Sequence, residues 1–123
     1  MSPSHLTLKQ IGRRIREDAI VGLRSQIGKG CNIMHAMIIG ADFYETDEQK
    51  AAIVESGGVP VGIGEGCTIS NAIIDKNARI GKNCVITNAS GVEELEDEEN
   101  GIYIRSGIVT ILRNATIPDG TVI

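Results

Sequence analysis

The feature that most constrains this chain is an apolar spacing of six. Val21, Ile27 and Ile33 are six apart, and so are Ile63 and Ile69, then Ile74, Ile80 and Ile86, then Ile111, Ile117 and Ile123. Neither the 3.6-residue period of a helix nor the two-residue period of a strand generates this pattern. Two steps shorten to five, Ile33 to Ile38 and Ile69 to Ile74, and the register resumes after each. Four residues beyond the apolar position stand Ser25, Cys31, Cys67, Ala78, Cys84, Ala115 and Thr121, all of them small. A large apolar residue with a small one at a fixed offset describes a prism of stacked coils, with room for bulk on its faces and none at its corners. A turn former often follows the apolar position directly, as in Ile27-Gly28, Ile63-Gly64, Ile74-Asp75 and Ile80-Gly81, so each hexad reads as a short strand ending in a corner.

These hexads resemble the hexapeptide repeat of the left-handed parallel β-helix. The expected fold is therefore all-β, a short hexapeptide-repeat solenoid of about four coils at three hexads per turn. Its left hand is what the resemblance implies, because the general crossover rule alone gives the opposite hand. The repeats occupy residues 20–41, 61–88 and 104–123, which places the β-helix domain at 19–123 with insertions at 42–60 and 89–103 and leaves 1–18 as a non-repeat segment. In the first insertion, Thr46-x-x-Gln49 has capping-box spacing and Gly57-Gly58 is a stop, which predicts a short helix between them. The second holds six acids between Glu93 and Glu99, whose repulsion predicts a solvated turn of helix or a loop at a corner of the prism. Leu8, Ile11 and Ile15 fit one face of a marginal helix.

Composition agrees and excludes several function classes. Twenty Ile and eight Val against five Leu, with 15 Gly, favour β-branched strands and turns over a helical bundle. No run approaches the roughly 18 apolar residues of a membrane span, so no membrane partner is expected. With two Tyr, one Phe, no Trp and no basic run longer than Arg13-Arg14, the chain lacks a stacking platform and a basic groove, and no nucleic acid is expected. Three cysteines without a C-x-x-C pair make neither a disulfide framework nor a zinc site, and they share the small-residue phase, so we read them as core in a reducing compartment. Lys9, Arg13, Arg14 and Arg16 are followed by Glu17 and Asp18 and by no apolar core, so no transit or signal peptide is read; the default location is cytoplasmic.

Few residues carry chemistry. His35 is the histidine within the repeats; a general base there would suit a stand-alone hexapeptide-repeat acyltransferase using acyl-coenzyme A, and the alternative is an outward corner histidine. With His5 and His35 as the only histidines, no metal site is expected, and the acidic run lacks the spacing of a calcium loop. The glycines of Val61-Gly62-Ile63-Gly64-Glu65-Gly66 open no helix and read as corner glycines rather than a dinucleotide fingerprint. One basic group stands out, Lys76, Arg79 and Lys82, in which ammonium and guanidinium groups suit a phosphorylated metabolite; ordinary surface charge is its other reading.

Longer phrases resemble one family. VGLRS (21–25), GADFYETD (40–47), VPVGIG (59–64), AIIDKNARIGKN (72–83), IYIRSGIVTIL (102–112) and ATIPDGTVI (115–123), in that order, are similar to the C-terminal β-helix domain of plant and green-algal ADP-glucose pyrophosphorylase, or glucose-1-phosphate adenylyltransferase. The resemblance implies a role in making ADP-glucose and pyrophosphate from ATP and glucose 1-phosphate in plastid starch synthesis. It also implies a heterotetramer of subunits, activated by 3-phosphoglycerate and inhibited by phosphate. In it the lysine of D-K-N-A-R, here Lys76, contributes to the effector site, with Arg79 and Lys82 as neighbouring candidates. The family's catalysis, with Mg and ATP, belongs to an N-terminal nucleotidyltransferase domain bearing a G-G-x-G-T-R loop. That motif does not occur in these 123 residues, so this chain alone is expected to hold no catalytic residue or cofactor and to be inactive.

Overall fold

The computed structural model describes residues 14–15 and 18–123. Its elements are β1 (Arg14–Ile15), β2 (Ile20–Val21), β3 (Asn32–Ile38), α1 (Asp47–Glu55), β4 (Gly62–Ile63), β5 (Thr68–Ile74), β6 (Arg79–Ile80), β7 (Val85–Ile86), β8 (Glu94–Asp97), β9 (Ile102–Arg105), β10 (Ile108–Ile111) and β11 (Thr116–Ile117).

The apolar positions stack into three parallel ladders. In the first, Ile15 lies opposite Ile33, Ile33 opposite Ile69, and Ile69 opposite Ile86. In the second, Val21 lies opposite Ile38, Ile38 opposite Ile74, and Ile74 opposite Ile111. The third joins Ile27 to Ile63, Ile63 to Ile80, and Ile80 to Ile117. Successive hexads thus visit the ladders in turn, and each isoleucine meets its counterpart from the next pass of the chain. Ile33, Ile69, Ile80, Ile86, Ile111 and Ile117 are all at most 1% exposed. Burying each contributes about 1.5–3 kcal/mol before the entropy of ordering it is subtracted. Val21 pairs with Ile38 on one side and, among the described residues, is covered by no strand on the other, and it is exposed.

The corners differ from the simplest reading of the hexads. The left-handed residue is not the one directly after the isoleucine. It comes two positions later after the first ladder (His35, Asn71, Asn88) and three positions later after the second (Arg24, Asn77, Asn114) and third (Gly30, Gly66, Asn83, Gly120). The shorter first corner accounts for the five-residue steps. Asparagine tolerates this conformation better than most residues with a Cβ, which is why it serves at all the corners without glycine except those of Arg24 and His35. Gly64 and Gly81, which do follow isoleucines directly, are there for closeness: a Cβ on Gly64 would lie 2.6 Å from the Gly81 carbonyl oxygen, and one on Gly81 would lie 2.5 Å from the Asp119 nitrogen.

All three cysteines are buried at the third corner. Their thiols donate to carbonyls of the neighbouring coil, Cys31 to Gly64 at 3.1 Å, Cys67 to Gly81 at 3.1 Å and Cys84 to Pro118 at 3.2 Å. The bond with Cys31, together with burial, pushes the Cys67 thiol well above its ordinary pKa.

The first insertion carries the expected helix. Thr46 and Gln49 form the reciprocal capping box. The helix closes when the Gly57 and Gly58 amides donate to the Val54 and Ile53 carbonyls at 3.0 and 2.8 Å, with Gly57 at φ +87°. No residue of α1 is buried. The second insertion is exposed, as expected, with only Asp97 half-buried over 89–100, but its conformation corrects the expected helical turn or loop over 89–103. It forms β8 and β9, antiparallel to each other, and β9 is antiparallel to β10, so the second ladder continues past Ile111 through β10-β9-β8. A two-residue alternation wins over charge repulsion here. Leu95 faces Ile104, which is 2% exposed, while Glu96 bonds Arg105 at 3.1 Å and Glu98 accepts from the Tyr103 hydroxyl at 2.6 Å. The hexad register consequently resumes at β10 and not at residue 104.

Residues 14–15 join the first ladder ahead of residue 19. Of the apolar set read as a marginal helix, Ile15 lies in strand β1, and Leu8 and Ile11 fall outside the described residues. Of the basic residues in which no targeting peptide is read, Lys9, Arg13 and Arg16 also fall outside the described residues.

Candidate functional site

The basic group 76–82 runs along one pass of the third ladder, from the corner that enters it to the corner that leaves it. At the entering corner, Asn77 adopts φ +61°. Its amide donates to the Gly40 carbonyl at 3.0 Å on one side, and the Lys76 carbonyl accepts from Asn114 at 3.0 Å on the other, which fixes the corner between two neighbouring passes of the chain. The Asp75 carboxylate accepts from the Lys76 amide at 2.6 Å. The Lys76 side chain is then directed to Asp42, the residue at which the first insertion leaves the coil, with Nζ 3.1 Å from Oδ1.

Asp42 is held from two further directions. Its amide donates to Asn77 Oδ1 at 2.9 Å, and its Oδ2 accepts from Asn77 Nδ2 at 3.3 Å. Lys76 first, then Asn77, then the more distant charge of Arg113 hold the Asp42 carboxyl below its ordinary range. Arg113 occupies the corner position of the next pass equivalent to Lys76, because Ile74 and Ile111 are register partners. The fold thus stacks the backbones of two basic residues at about the 4.8 Å inter-strand spacing, and the charges of both act on the Asp42 carboxylate.

Arg79 is committed elsewhere. Its Nη1 donates to Glu45 Oε2 at 3.0 Å and to the Val59 carbonyl at 2.9 Å. Glu45, a buried carboxylate, also accepts from the Val61 amide at 2.6 Å. This guanidinium therefore clamps both ends of the first insertion to the coil. Lys82 sits at the leaving corner, where its amide donates to Asp119 Oδ1 at 2.8 Å and its side chain is exposed. Lys76 and Lys82 thus stand at different corners, on either side of β6. The structure places Lys76 with Asp42, Asn77 and Arg113 instead. Arg113 was legible in principle as the residue two past Ile111, matching Lys76 two past Ile74.

His35 stands at the corner after the first ladder with its side chain 60% exposed, and its Nδ1 lies 2.5 Å from Asp18 Oδ2. Lys50, on α1, hydrogen-bonds Gln26 Oε1 and so ties the helix to the first pass of the third ladder. Among the described residues, no group of three or more His, Cys, Asp or Glu is arranged to hold a metal ion, and no helix is long and apolar enough to cross a membrane.

Parallel ladders of stacked hexads, interrupted by a capped helix and a β-meander, define a parallel β-helix domain. The chain belongs to the GLGC left-handed parallel β-helix domain family, whose model matches residues 10–122. It is 52% identical over 107 residues to glucose-1-phosphate adenylyltransferase large subunit 1, chloroplastic/amyloplastic, of Zea mays. That match covers 87% of this chain and 21% of the maize protein, so the chain spans about a fifth of that relative's length.

Proposed function

We propose that this chain is the effector-binding and subunit-contact module of a glucose-1-phosphate adenylyltransferase, the plastid activity that forms ADP-glucose and pyrophosphate from ATP and glucose 1-phosphate. Its coils wind left-handed, as in the family to which it belongs, and residues 19–123 act as one unit to which β1 adds a strand. Catalysis, Mg and ATP belong to another part of that enzyme. The effectors are 3-phosphoglycerate and phosphate, and the partners are the other subunits of a heterotetramer.

The observation that supports this best is the corner of D-K-N-A-R. A lysine on a backbone fixed from both sides, beside the stacked Arg113, presents cationic donors to an anion without needing to order a loop. Within the basic group Lys76 is the primary contact, Lys82 a separate outlying cation, and Arg79 acts by holding the insertion in place. The test is calorimetric titration of the chain with 3-phosphoglycerate, comparing wild type with Lys76→Ala and using acetyl-coenzyme A as the contrast. Binding that Lys76→Ala abolishes is the expected result. Phosphoglycerate binding that Lys76→Ala leaves intact would overturn it. Acetyl-coenzyme A binding that depends on His35 would point to the acyltransferase reading, which the His35–Asp18 pair favours.

A further inference from the structure

The proposed effector corner already contains an anion. The Asp42 carboxylate places one oxygen 3.1 Å from Lys76 Nζ and the other 3.3 Å from Asn77 Nδ2. It therefore occupies two of the donors that a phosphate or carboxylate ligand would use, and it faces the charge of Arg113 as well. Three features make this more than a surface ion pair. Both partners sit on fixed backbone, Asp42 through its amide bond to Asn77 Oδ1 and Lys76 through the stacked corner. The two side chains are unequally exposed, Lys76 at 35% and Asp42 at 54%, so the lysine is the more enclosed of the pair. Asp42 also opens the insertion that carries α1, so its position is coupled to how that insertion leaves the coil.

The geometry points to Asp42 as an internal counter-ion of the anion site, a place-holder that a phosphorylated or carboxylated ligand must displace from Lys76. This rests on the reading of Lys76 as an anion contact and adds a regulatory element to it. Ligand affinity is then set by competition. The lysine exchanges one carboxylate for another anion, so the net gain on binding is smaller than for an unpaired cation, and the freed Asp42 repels the incoming charge. The depressed pKa of Asp42 is consistent with a carboxylate that Lys76 keeps ionised.

The test is titration of the full chain with inorganic phosphate and, separately, 3-phosphoglycerate at low salt, in wild type, Asp42→Asn, Lys76→Ala and Glu96→Gln. Asp42→Asn keeps an oxygen for Asn77 while removing the charge; Glu96→Gln makes the same change in net charge at the distant β8 and controls for long-range effects. The expected result is an affinity about three- to tenfold higher in Asp42→Asn, the range of a removed ion pair and a removed repulsion, with no comparable gain in Glu96→Gln. A second readout needs no variant: the NMR titration of the wild-type Asp42 carboxyl rises toward its ordinary 3.8 when the anion saturates the site, because Lys76 is drawn away. Equal affinity in wild type and Asp42→Asn, with binding still lost in Lys76→Ala, overturns the counter-ion role and leaves the effector reading standing. No binding of either anion to wild type or Asp42→Asn removes the effector site from this chain, and the counter-ion role with it.

Discussion

Removing Arg79 should destabilise the fold by freeing both ends of the first insertion. The Glu45 side chain is 7% exposed and that of Arg79 28%, and the carboxylate has two protein donors, Arg79 Nη1 and the Val61 amide. Arg79→Ala leaves a buried carboxylate with one donor and strips the Val59 carbonyl of its partner. Breaking a fully buried pair costs about 3–5 kcal/mol, and the partial exposure of the arginine brings the expectation to about 2–3 kcal/mol. For a chain of this length an unfolding entropy of about 2.1 cal/mol/K per residue makes that a fall in Tm of roughly 8–12 °C. Circular dichroism melts with urea titrations measure it. The decisive comparison is a cycle with Glu45→Gln, which removes the charge and keeps an acceptor for Val61. In that background Arg79→Ala should cost only about 1 kcal/mol, giving a coupling of 1–2 kcal/mol. Additivity within about 0.5 kcal/mol would refute the clamp, and so would an Arg79→Ala variant as stable as wild type.

Three further expectations follow from the fold. Gly81→Ala puts a Cβ 2.5 Å from the Asp119 nitrogen and should cost about 2 kcal/mol or more in urea unfolding, whereas Gly120→Ala has open space and carries only the strain of its φ of +73°. Thr46→Ala removes the capping box of a helix with no buried residue, so it should weaken amide-exchange protection of Gln49 and the following turn by about 1 kcal/mol while the coils keep theirs. Tyr103 donates to Glu98, and that bond raises its pKa above the ordinary 10.0. The contribution to stability is therefore complete below pH about 10, where the unfolded tyrosine titrates, and is lost as pH rises through the higher folded value. Phenolate absorbance should show a midpoint that moves back toward 10.0 in Glu98→Gln.

The hexad phase carried most of the fold because it is a local record of a repeated environment. Every isoleucine on the phase meets the same neighbours one coil away, so the spacing of Ile63, Ile69, Ile74, Ile80 and Ile86 reports three ladders without knowledge of long-range contacts. The capping box at Thr46 and Gln49 and the stop at Gly57-Gly58 were legible for the same reason, since caps are made within a few residues. Charge density put the acidic insertion in solvent, where it lies, but carried no information on its conformation, because the alternation in Glu94-Leu95-Glu96 and Ile102-Tyr103-Ile104 acts only once β10 offers an edge to pair with. The basic group divided in the same way. Lys76, Arg79 and Lys82 look like one cluster in the chain, yet the coil sends Lys76 to Asp42, Arg79 to Glu45 and Lys82 to a different corner. Those partners lie 35 and 34 positions away in sequence for Asn77–Asp42 and Arg79–Glu45. Sequence alone determined the phase of the inward isoleucines and the capped helix, because both depend on near neighbours. Which charges meet was decided only by the stacking of one coil on the next, because a full circuit of the prism, and an insertion of any length, separates the groups that end up in contact.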